Sequence, residues 1–307
     1  MTRVRCMTIV CAILIAGLTN GAQAAPGACG AITGAASRSC QAGAKSDKFL
    51  TLGKCHNLAD RAAARACRQQ AKADSQDALA DCKAQRHLRQ ATCARLGAAP
   101  YEPMIDPANF VAAIDNPLFP LVPGTTFVYE GQTADGLEHV EFAVTHNTKV
   151  FLGVTCVEVH DTSRVNGVLM EDTRDWFAQD KDGNVWYFGE NTTLVDGGLP
   201  VDLSGSWTAG VDGGQPGIIM KAHPAIGDFY RQEFLLGEAE DLAEVKSLTD
   251  SVTVPYGSFD NCLKTEETSS LAPGDVENKF YAAGVGNVLT VDLASGERSE
   301  LVQITTE

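Results

Sequence analysis

Residues 99–307 alternate between apolar and polar positions with a period of two, which predicts β-strands rather than helices. Turn-forming pairs separate the alternating runs, at Asp135-Gly136, Asn166-Gly167, Asp182-Gly183 and Ser295-Gly296. The strands are predicted at 127–129, 139–145, 150–159, 185–188, 229–234, 251–254, 259–265, 278–281 and 301–305. About ten to twelve antiparallel strands in one run predict a mainly β fold, arranged as a barrel, a half-barrel or a sandwich.

A helical pattern precedes this β region. Residues 58–70 and 76–95 are rich in Ala, Arg, Lys and Gln, which favour helices. Asn57 and Ser75 are suitable N-caps, and Gly97 suits a helix end. We interpret residues 25–98 as a small helical hairpin or three-helix unit, whose thin, alanine-rich core needs covalent support.

Six cysteines are placed to give that support, at Cys29, Cys40, Cys55, Cys67, Cys82 and Cys93. They follow one another at steps of 11, 15, 12, 15 and 11 residues. Steps of 11 and 15 return to nearly the same side of a helix, so these cysteines can join one helix to an antiparallel neighbour. The spacing leaves the connectivity open. Structural zinc is disfavoured, because zinc ligands lie closer together in sequence.

The first residues predict export into an oxidising compartment. Residues 1–24 have the form of a secretory signal peptide, with Arg3 and Arg5 before an apolar stretch and Ala22-Gln23-Ala24 as the cleavage site. The apolar stretch is too short to span a bilayer, so no transmembrane segment is predicted. We therefore expect a periplasmic or extracellular protein with disulfides. Cys156 and Cys262 lie in predicted strands and are expected to form one cross-strand or inter-sheet disulfide.

Charge divides the chain at the same boundary. Residues 25–98 hold 12 Lys and Arg against 5 acidic residues, whereas residues 99–307 hold 10 against 34. The formal net charge of −15 therefore combines a basic, cysteine-rich helical segment with a strongly acidic antiparallel β domain. Opposite charges predict that the helices dock on the β domain, and the acidity of the chain argues against a nucleic-acid partner.

Two acidic clusters are candidates for a cation site, because carboxylate oxygens suit calcium. The first contains Glu171 and Asp172, and the second contains Glu238, Glu240 and Asp241. A solvated strand edge or a short turn explains the same residues without a ligand. Common catalytic motifs are not found: the sequence has no G-x-S-x-G, no H-E-x-x-H, no P-loop and no dinucleotide-binding glycine fingerprint.

Histidines offer a second type of metal site. His160 beside Asp161, and Met220 near His223, form a copper or zinc site if the fold brings them together. Because each histidine is isolated in the sequence, a surface or hydrogen-bonded histidine is the favoured interpretation. The run 180–184 has an alternation like the start of a calcium loop, but it also has the composition of a hairpin turn.

Other conspicuous side chains are expected to have structural roles. Four aromatic residues are expected to fill the core: Trp176, Trp186, Tyr187 and Phe188. Arg231 and Glu233 alternate along one predicted strand and therefore share a face. We expect a cross-strand ion pair between this face and Glu277 or Lys279.

Several long motifs carry a resemblance to a known family. They are IDPANF at 105–110, NPLFPLVPGTTFVYEG at 116–131, DGNVWYFGE at 182–190, PGIIM at 216–220 and YRQE at 230–233. Through them, residues 101–307 resemble an uncharacterised family of exported bacterial proteins, which implies export and brings no catalytic or ligand residues. The strands that begin at proline and glycine are also similar to lipoprotein-carrier-type β half-barrels.

Three functional hypotheses follow from these patterns. The first is an exported, non-enzymatic binding protein that holds a small apolar or amphipathic molecule in a concave sheet. The second is a cation-binding envelope protein, with calcium ahead of copper as the bound ion. The third is a hydrolase or lyase whose site belongs to no recognisable motif.

Overall fold

The computed structural model describes residues 27–307. The predicted signal peptide at 1–24 lies outside the described residues. Two antiparallel helices come first, α1 (Ala28–His56) and α2 (Arg61–Leu96). Asp60 caps α2 by accepting a hydrogen bond from the Ala63 N–H at 2.6 Å, and Gly97 ends it with a φ of +97°. No helix within the described residues is long and apolar enough to cross a membrane.

The sequence therefore predicts the helical hairpin correctly, but not its internal boundaries. Asn57 ends α1 instead of capping α2. Ser75, the second expected cap, lies buried in the middle of α2. The helix continues through 71–75 because this run contains neither glycine nor proline, and capping residues alone do not interrupt a helix.

Three disulfides join the two helices: Cys29–Cys93, Cys40–Cys82 and Cys55–Cys67. Each pair is centred on Arg61, the first residue of α2, so the bonds are nested at three levels along the antiparallel pair. This arrangement confirms the predicted disulfide support of the helical segment.

A short 3₁₀ helix, Pro107–Asn109, precedes the strands. The strands are β1 (Phe110–Val111), β2 (Thr125–Gln132), β3 (Leu137–Phe151), β4 (Val154–Val165), β5 (Val168–Asp180), β6 (Val185–Asp196), β7 (Leu199–Asp202), β8 (Trp207–Thr208), β9 (Gln215–Met220), β10 (Phe229–Arg231), β11 (Glu233–Phe234), β12 (Asp241–Val254), β13 (Gly257–Ser269), β14 (Val276–Ala282), β15 (Gly286–Asp292) and β16 (Arg298–Thr306).

Thirteen of these strands form one antiparallel path, in the order β10-β12-β13-β14-β15-β16-β2-β3-β4-β5-β6-β9-β11. The two ends of the path, β10 and β11, are separated in sequence only by Gln232. β10 pairs with β12 and β11 pairs with β9, while the Gln232 N–H donates to the Asp241 carbonyl at 2.9 Å. The sheet is therefore a nearly closed antiparallel barrel, which confirms the predicted mainly β fold and selects the barrel among its alternatives.

The wall of the barrel is apolar at many points around its circumference. The largest fully buried apolar side chains are Phe188, Met220, Leu263 and Leu301, which come from β6, β9, β13 and β16. Burial of each such side chain contributes roughly 1.5–3 kcal/mol. The expected core role of the aromatic run is confirmed, since Trp176, Tyr187 and Phe188 belong to the core cluster and Trp186 packs against it.

Cys156 and Cys262 correct one prediction. Both side chains are fully buried and remain free thiols, so the expected disulfide between them is not formed. Cys156 lies on β4 and Cys262 on β13, and five strands separate β4 from β13 along the sheet. Burial also raises the pKa of the Cys156 thiol to about 12, which keeps it in the unreactive, protonated form.

Basic residues of α2 dock the helices on the barrel, as the opposite charges predict. Arg89 forms a buried ion pair with Glu240 at 2.8 Å. Arg95 donates to Glu244 at 2.7 Å, and its guanidinium group lies 3.7 Å from the centre of the Phe229 ring. The contacts reach β12 and β10, next to the place where the barrel closes.

Candidate functional site

A cavity of about 370 Å³ lies in the lumen of the barrel. Twelve of the thirteen strands in the barrel path contribute lining side chains, all except β10. The loop before β2 adds Phe119, Pro120 and Leu121. The lining divides into an aromatic wall and an acidic wall, and each is positioned by a recognisable local feature.

The aromatic wall is formed by Phe119, Phe127, Phe142 and Phe177. Their rings contact one another edge to face, with the Phe119 and Phe177 centroids 5.5 Å apart and the Phe127 and Phe142 centroids 6.2 Å apart. Phe127, Phe142 and Phe177 come from β2, β3 and β5, whose alternation directs every second side chain inward.

Asn116 holds the loop that carries Phe119 into the lumen. Its side chain is buried, donates to the Gly183 carbonyl at 2.8 Å and accepts from the Leu118 N–H at 2.8 Å. The Leu121 N–H donates to the Ile114 carbonyl at 3.1 Å, which fixes the other end of the loop. The Asn-Pro-Leu-Phe motif of the sequence therefore positions Phe119 in the cavity.

The acidic wall contains six carboxyl groups, from Asp161, Asp175, Glu190, Glu233, Asp241 and Glu267. The only basic residue of the lining is Lys279. Lys279 is already paired, since its ammonium group lies 2.9 Å from Glu267. Burial opposes ionisation of Glu267, but the Lys279 charge and hydrogen bonds outweigh it and lower the pKa of Glu267. Five carboxyl groups of the lumen thus lack a basic partner in the lining.

Tyr187 connects two of these carboxyl groups. Its hydroxyl oxygen lies 2.5 Å from Asp175 Oδ1 and 2.8 Å from Glu190 Oε2. A phenol has one proton and can donate to only one carboxyl group, so the second contact requires a protonated carboxyl group that donates to the phenol oxygen. Burial raises the pKa of Asp175 to about 8 and that of Glu190 to about 8, and repulsion from neighbouring carboxylates adds to both shifts.

A β-bulge brings Tyr187 and Glu190 to the same side of β6. Residues three apart in a regular strand face opposite sides. In β6, however, Gly189 lies opposite Trp176 and Tyr187 lies opposite Phe177, so Phe188 is an extra residue in the ladder. Gly189 is required here, because its φ is +147° and a Cβ atom would lie 2.6 Å from the Trp207 carbonyl oxygen.

Glu233, Asp161 and Asp241 complete the acidic wall. Burial raises the pKa of Glu233 well above its usual value, and the charges of Asp241 and Glu190 raise it further. Burial and the neighbouring Glu171 raise the pKa of Asp161 to about 7. The pKa of Asp241 is also raised by burial. Burial therefore raises the pKa of five of the six lumen carboxyl groups, and Glu267, which is paired with Lys279, is the exception.

The predicted cation-site residues are not brought together. Among residues 27–307, no group of three or more His, Cys, Asp or Glu side chains is arranged to hold a metal ion. Glu240 is paired with Arg89, Glu238 is exposed in a turn, and Asp241 alone faces the lumen. Glu171 and Asp172 lie on β5, where Glu171 accepts from the Thr173 hydroxyl and Asp172 lies 3.2 Å from His160.

The run at 180–184 is a hairpin turn between β5 and β6. Asp180 accepts hydrogen bonds from the Asn184 side chain at 2.9 Å and from the Trp186 indole at 2.8 Å, so protein donors occupy its carboxylate.

Arg231 and Glu233 do not share a face, contrary to the strand alternation. Gln232 interrupts the strand between β10 and β11, so Arg231 stacks over Phe234 while Glu233 turns into the lumen. Lys279 does form an ion pair, but with Glu267 and Glu277. The alternation therefore locates the charged residues but misses the irregularity that separates them.

No family model matches the chain, so the family resemblance of its motifs stays a prediction. A comparison with curated proteins finds no match. One solved structure, a "putative lipoprotein" from Parabacteroides distasonis ATCC 8503, is 14% identical over 64% of this chain and 100% of that chain, with a TM-score of 0.35. A likeness at this TM-score carries no inference about fold or function. The three disulfides are compatible with an exported protein.

Proposed function

We propose that this is an exported binding protein that holds one small amphipathic molecule in the lumen of its barrel. The observation that carries the proposal is the cavity of about 370 Å³, in which an aromatic wall faces a wall of carboxyl groups. Its volume lies within the range of small-molecule sites, and its mixture of apolar surface with a few placed polar groups is typical of them. A ligand that fits such a lining has an apolar body and a polar group.

A neutral fluorescent probe, N-phenyl-1-naphthylamine, tests the proposal. We expect saturable binding of one probe per chain, with the fluorescence increase of an apolar environment. The variant Val140→Trp fills the lumen, because Val140 lines the cavity, and should weaken binding by about tenfold or more. Val168→Trp is the matched control, since Val168 is 55% exposed at the start of β5 and lies outside the lining.

Circular dichroism and thermal melting establish that both variants are folded. Probe binding that is unsaturable, or that is reduced equally by Val140→Trp and Val168→Trp, contradicts a site in the lumen. A second reading comes from native mass spectrometry of the purified protein, where a co-purified small molecule should be retained by the wild type and lost from Val140→Trp.

A further inference from the structure

We propose that the molecule bound in the lumen is an amphipathic amine, with its apolar body against the phenylalanine wall and its ammonium group among Asp175, Glu190 and Glu233. The inference rests on the proposed function, because it names the chemical class of ligand for the same cavity. Three observations support it: the lining is almost entirely acidic, one buried carboxyl group has no partner, and the aromatic and acidic walls meet at one residue.

The ionisable side chains of the lumen are almost all acidic. Six carboxyl groups line the cavity and one lysine faces them. Lys279 is held by Glu267, which also accepts from the Thr265 hydroxyl at 2.9 Å and the Tyr281 hydroxyl at 3.2 Å. The charge of Lys279 is therefore already neutralised by Glu267. A ligand with a carboxylate or phosphate group would find no free cation in the lining, because Lys279 is already paired with Glu267.

Glu233 is the clearest sign of a missing partner. The residue is 7% exposed and lines the cavity, yet its carboxyl group forms no hydrogen bond or ion pair with any of the described residues. The indole N–H of Trp207 approaches it without the geometry of a hydrogen bond. A buried carboxyl group without a partner is costly, and an ammonium group in the cavity supplies both the charge and up to three donors.

The aromatic and acidic walls meet at Tyr187. Its ring stacks on Phe177 with centroids 4.8 Å apart, and its hydroxyl contacts Asp175 and Glu190. One phenol ring therefore spans the distance from the apolar surface to the carboxyl groups. A primary amine joined to an aromatic or alkyl body by a short chain reaches both walls at once, whereas a bare metal ion makes no use of the phenylalanines.

The raised pKa values of these carboxyl groups agree with this assignment. Asp175 and Glu190 retain protons near neutral pH because their carboxyl groups are buried and close together. An ammonium group compensates the negative charge, so its binding displaces those protons. Amine binding should therefore release protons to the buffer, which calorimetry in buffers of different ionisation enthalpy detects.

Three compounds that differ only in their polar group test the inference on the wild-type protein: 4-phenylbutylamine, 4-phenylbutanol and 4-phenylbutanoate. By isothermal titration calorimetry near neutral pH, we expect the amine to bind at least about tenfold more tightly than the alcohol, because charge-assisted hydrogen bonds are stronger than neutral ones. The carboxylate should bind most weakly. Equal affinities for the amine and the alcohol overturn the inference while leaving the proposed function intact.

Glu233→Gln gives an independent test, since it removes the carboxyl group that can ionise against the ammonium group and keeps the shape. The affinity for 4-phenylbutylamine should fall about tenfold, and that for 4-phenylbutanol should stay within about twofold. Glu238→Gln is the matched control, because Glu238 is exposed and outside the lining. If none of the three compounds binds the wild type, the inference is wrong, and binding of the neutral naphthylamine probe then decides separately whether the lumen is a binding site.

Discussion

Arg89 and Glu240 form a buried, bidentate ion pair between the second helix and the barrel. The Arg89 Nε donates to Glu240 Oε2 at 2.8 Å and Nη2 donates to Oε1 at 2.8 Å, with side chains that are 6% and 2% exposed. The Gly237 N–H gives Glu240 a further hydrogen bond at 2.9 Å. Because neither charge reaches solvent, each needs the other, and the pair fixes where the helices rest on the barrel.

Arg89→Met should destabilise the protein by about 3–5 kcal/mol, because it leaves the Glu240 carboxylate buried without a counter-charge. Urea unfolding followed by circular dichroism measures the loss. The control Arg298→Met breaks an exposed pair with Glu300 and should cost at most about 1 kcal/mol. Replacing both partners, Arg89→Met with Glu240→Leu, should restore most of the stability. Equal effects of the two single variants would show that the buried pair has no special role.

The three disulfides should contribute similarly to stability, although their sequence separations are 64, 42 and 12 residues. Each bond closes only the chain between itself and the next bond inward, because the pairs are nested. Loop-closure entropy then gives about 3 kcal/mol for each bond. Three variants, each with both cysteines of one bond replaced by alanine, test this. Their free energies of unfolding are measured in urea by the helical signal in circular dichroism. A much larger loss for Cys29–Cys93 than for Cys55–Cys67 contradicts the nested account.

Much of the fold could be predicted from the sequence. The period-two patterns locate most of the barrel strands, but they miss β5, β9 and β15 and join the end of β3 to the start of β4 as one strand at 150–159. The cysteine spacing reads the same in both directions, as nested bonds across an antiparallel hairpin require. The observed pairing is symmetric about Arg61, as the spacing is, but the spacing alone leaves the connectivity open. The pairing expected for Cys156 and Cys262 is wrong because an even number of cysteines does not place two of them on neighbouring strands.

The candidate site was less accessible to prediction. The acidic clusters of the sequence predict five site residues, of which Asp241 lines the lumen, whereas the lumen gathers single carboxyl groups from six different elements. Which face of a strand turns inward follows from alternation, but Glu190 and Glu233 reach the lumen through a bulge and an interrupted strand. Such irregularities depend on contacts between distant strands, so a local pattern does not contain them.

Tyr187→Phe should destabilise the protein by about 1–3 kcal/mol, because it removes the hydroxyl that contacts Asp175 and Glu190 while the stacking on Phe177 remains. Tyr256→Phe is the matched control: Tyr256 is 43% exposed, and the change should stay within about 0.5 kcal/mol. Urea unfolding measures the free energy lost in each variant. A loss for Tyr187→Phe no larger than for the control contradicts the bridging role of the hydroxyl.

The stability of the ligand-free protein should fall as pH rises from about 4.5 to 8, because the folded state retains protons that the unfolded chain has released. Burial raises the pKa of Asp175 from 3.8 to about 8 and that of Glu190 from 4.5 to about 8. The contribution of these groups is fully present below their unfolded pKa values and is lost as pH rises through the folded values. The free energy of unfolding should decrease by on the order of 1 kcal/mol per pH unit for each retained proton.

Urea unfolding across this pH range measures the slope. Asp175→Asn should flatten it, whereas Asp182→Asn, in an exposed turn, should leave it unchanged. A free energy of unfolding that rises with pH, or a slope that Asp175→Asn does not alter, would show that the lumen does not hold these protons.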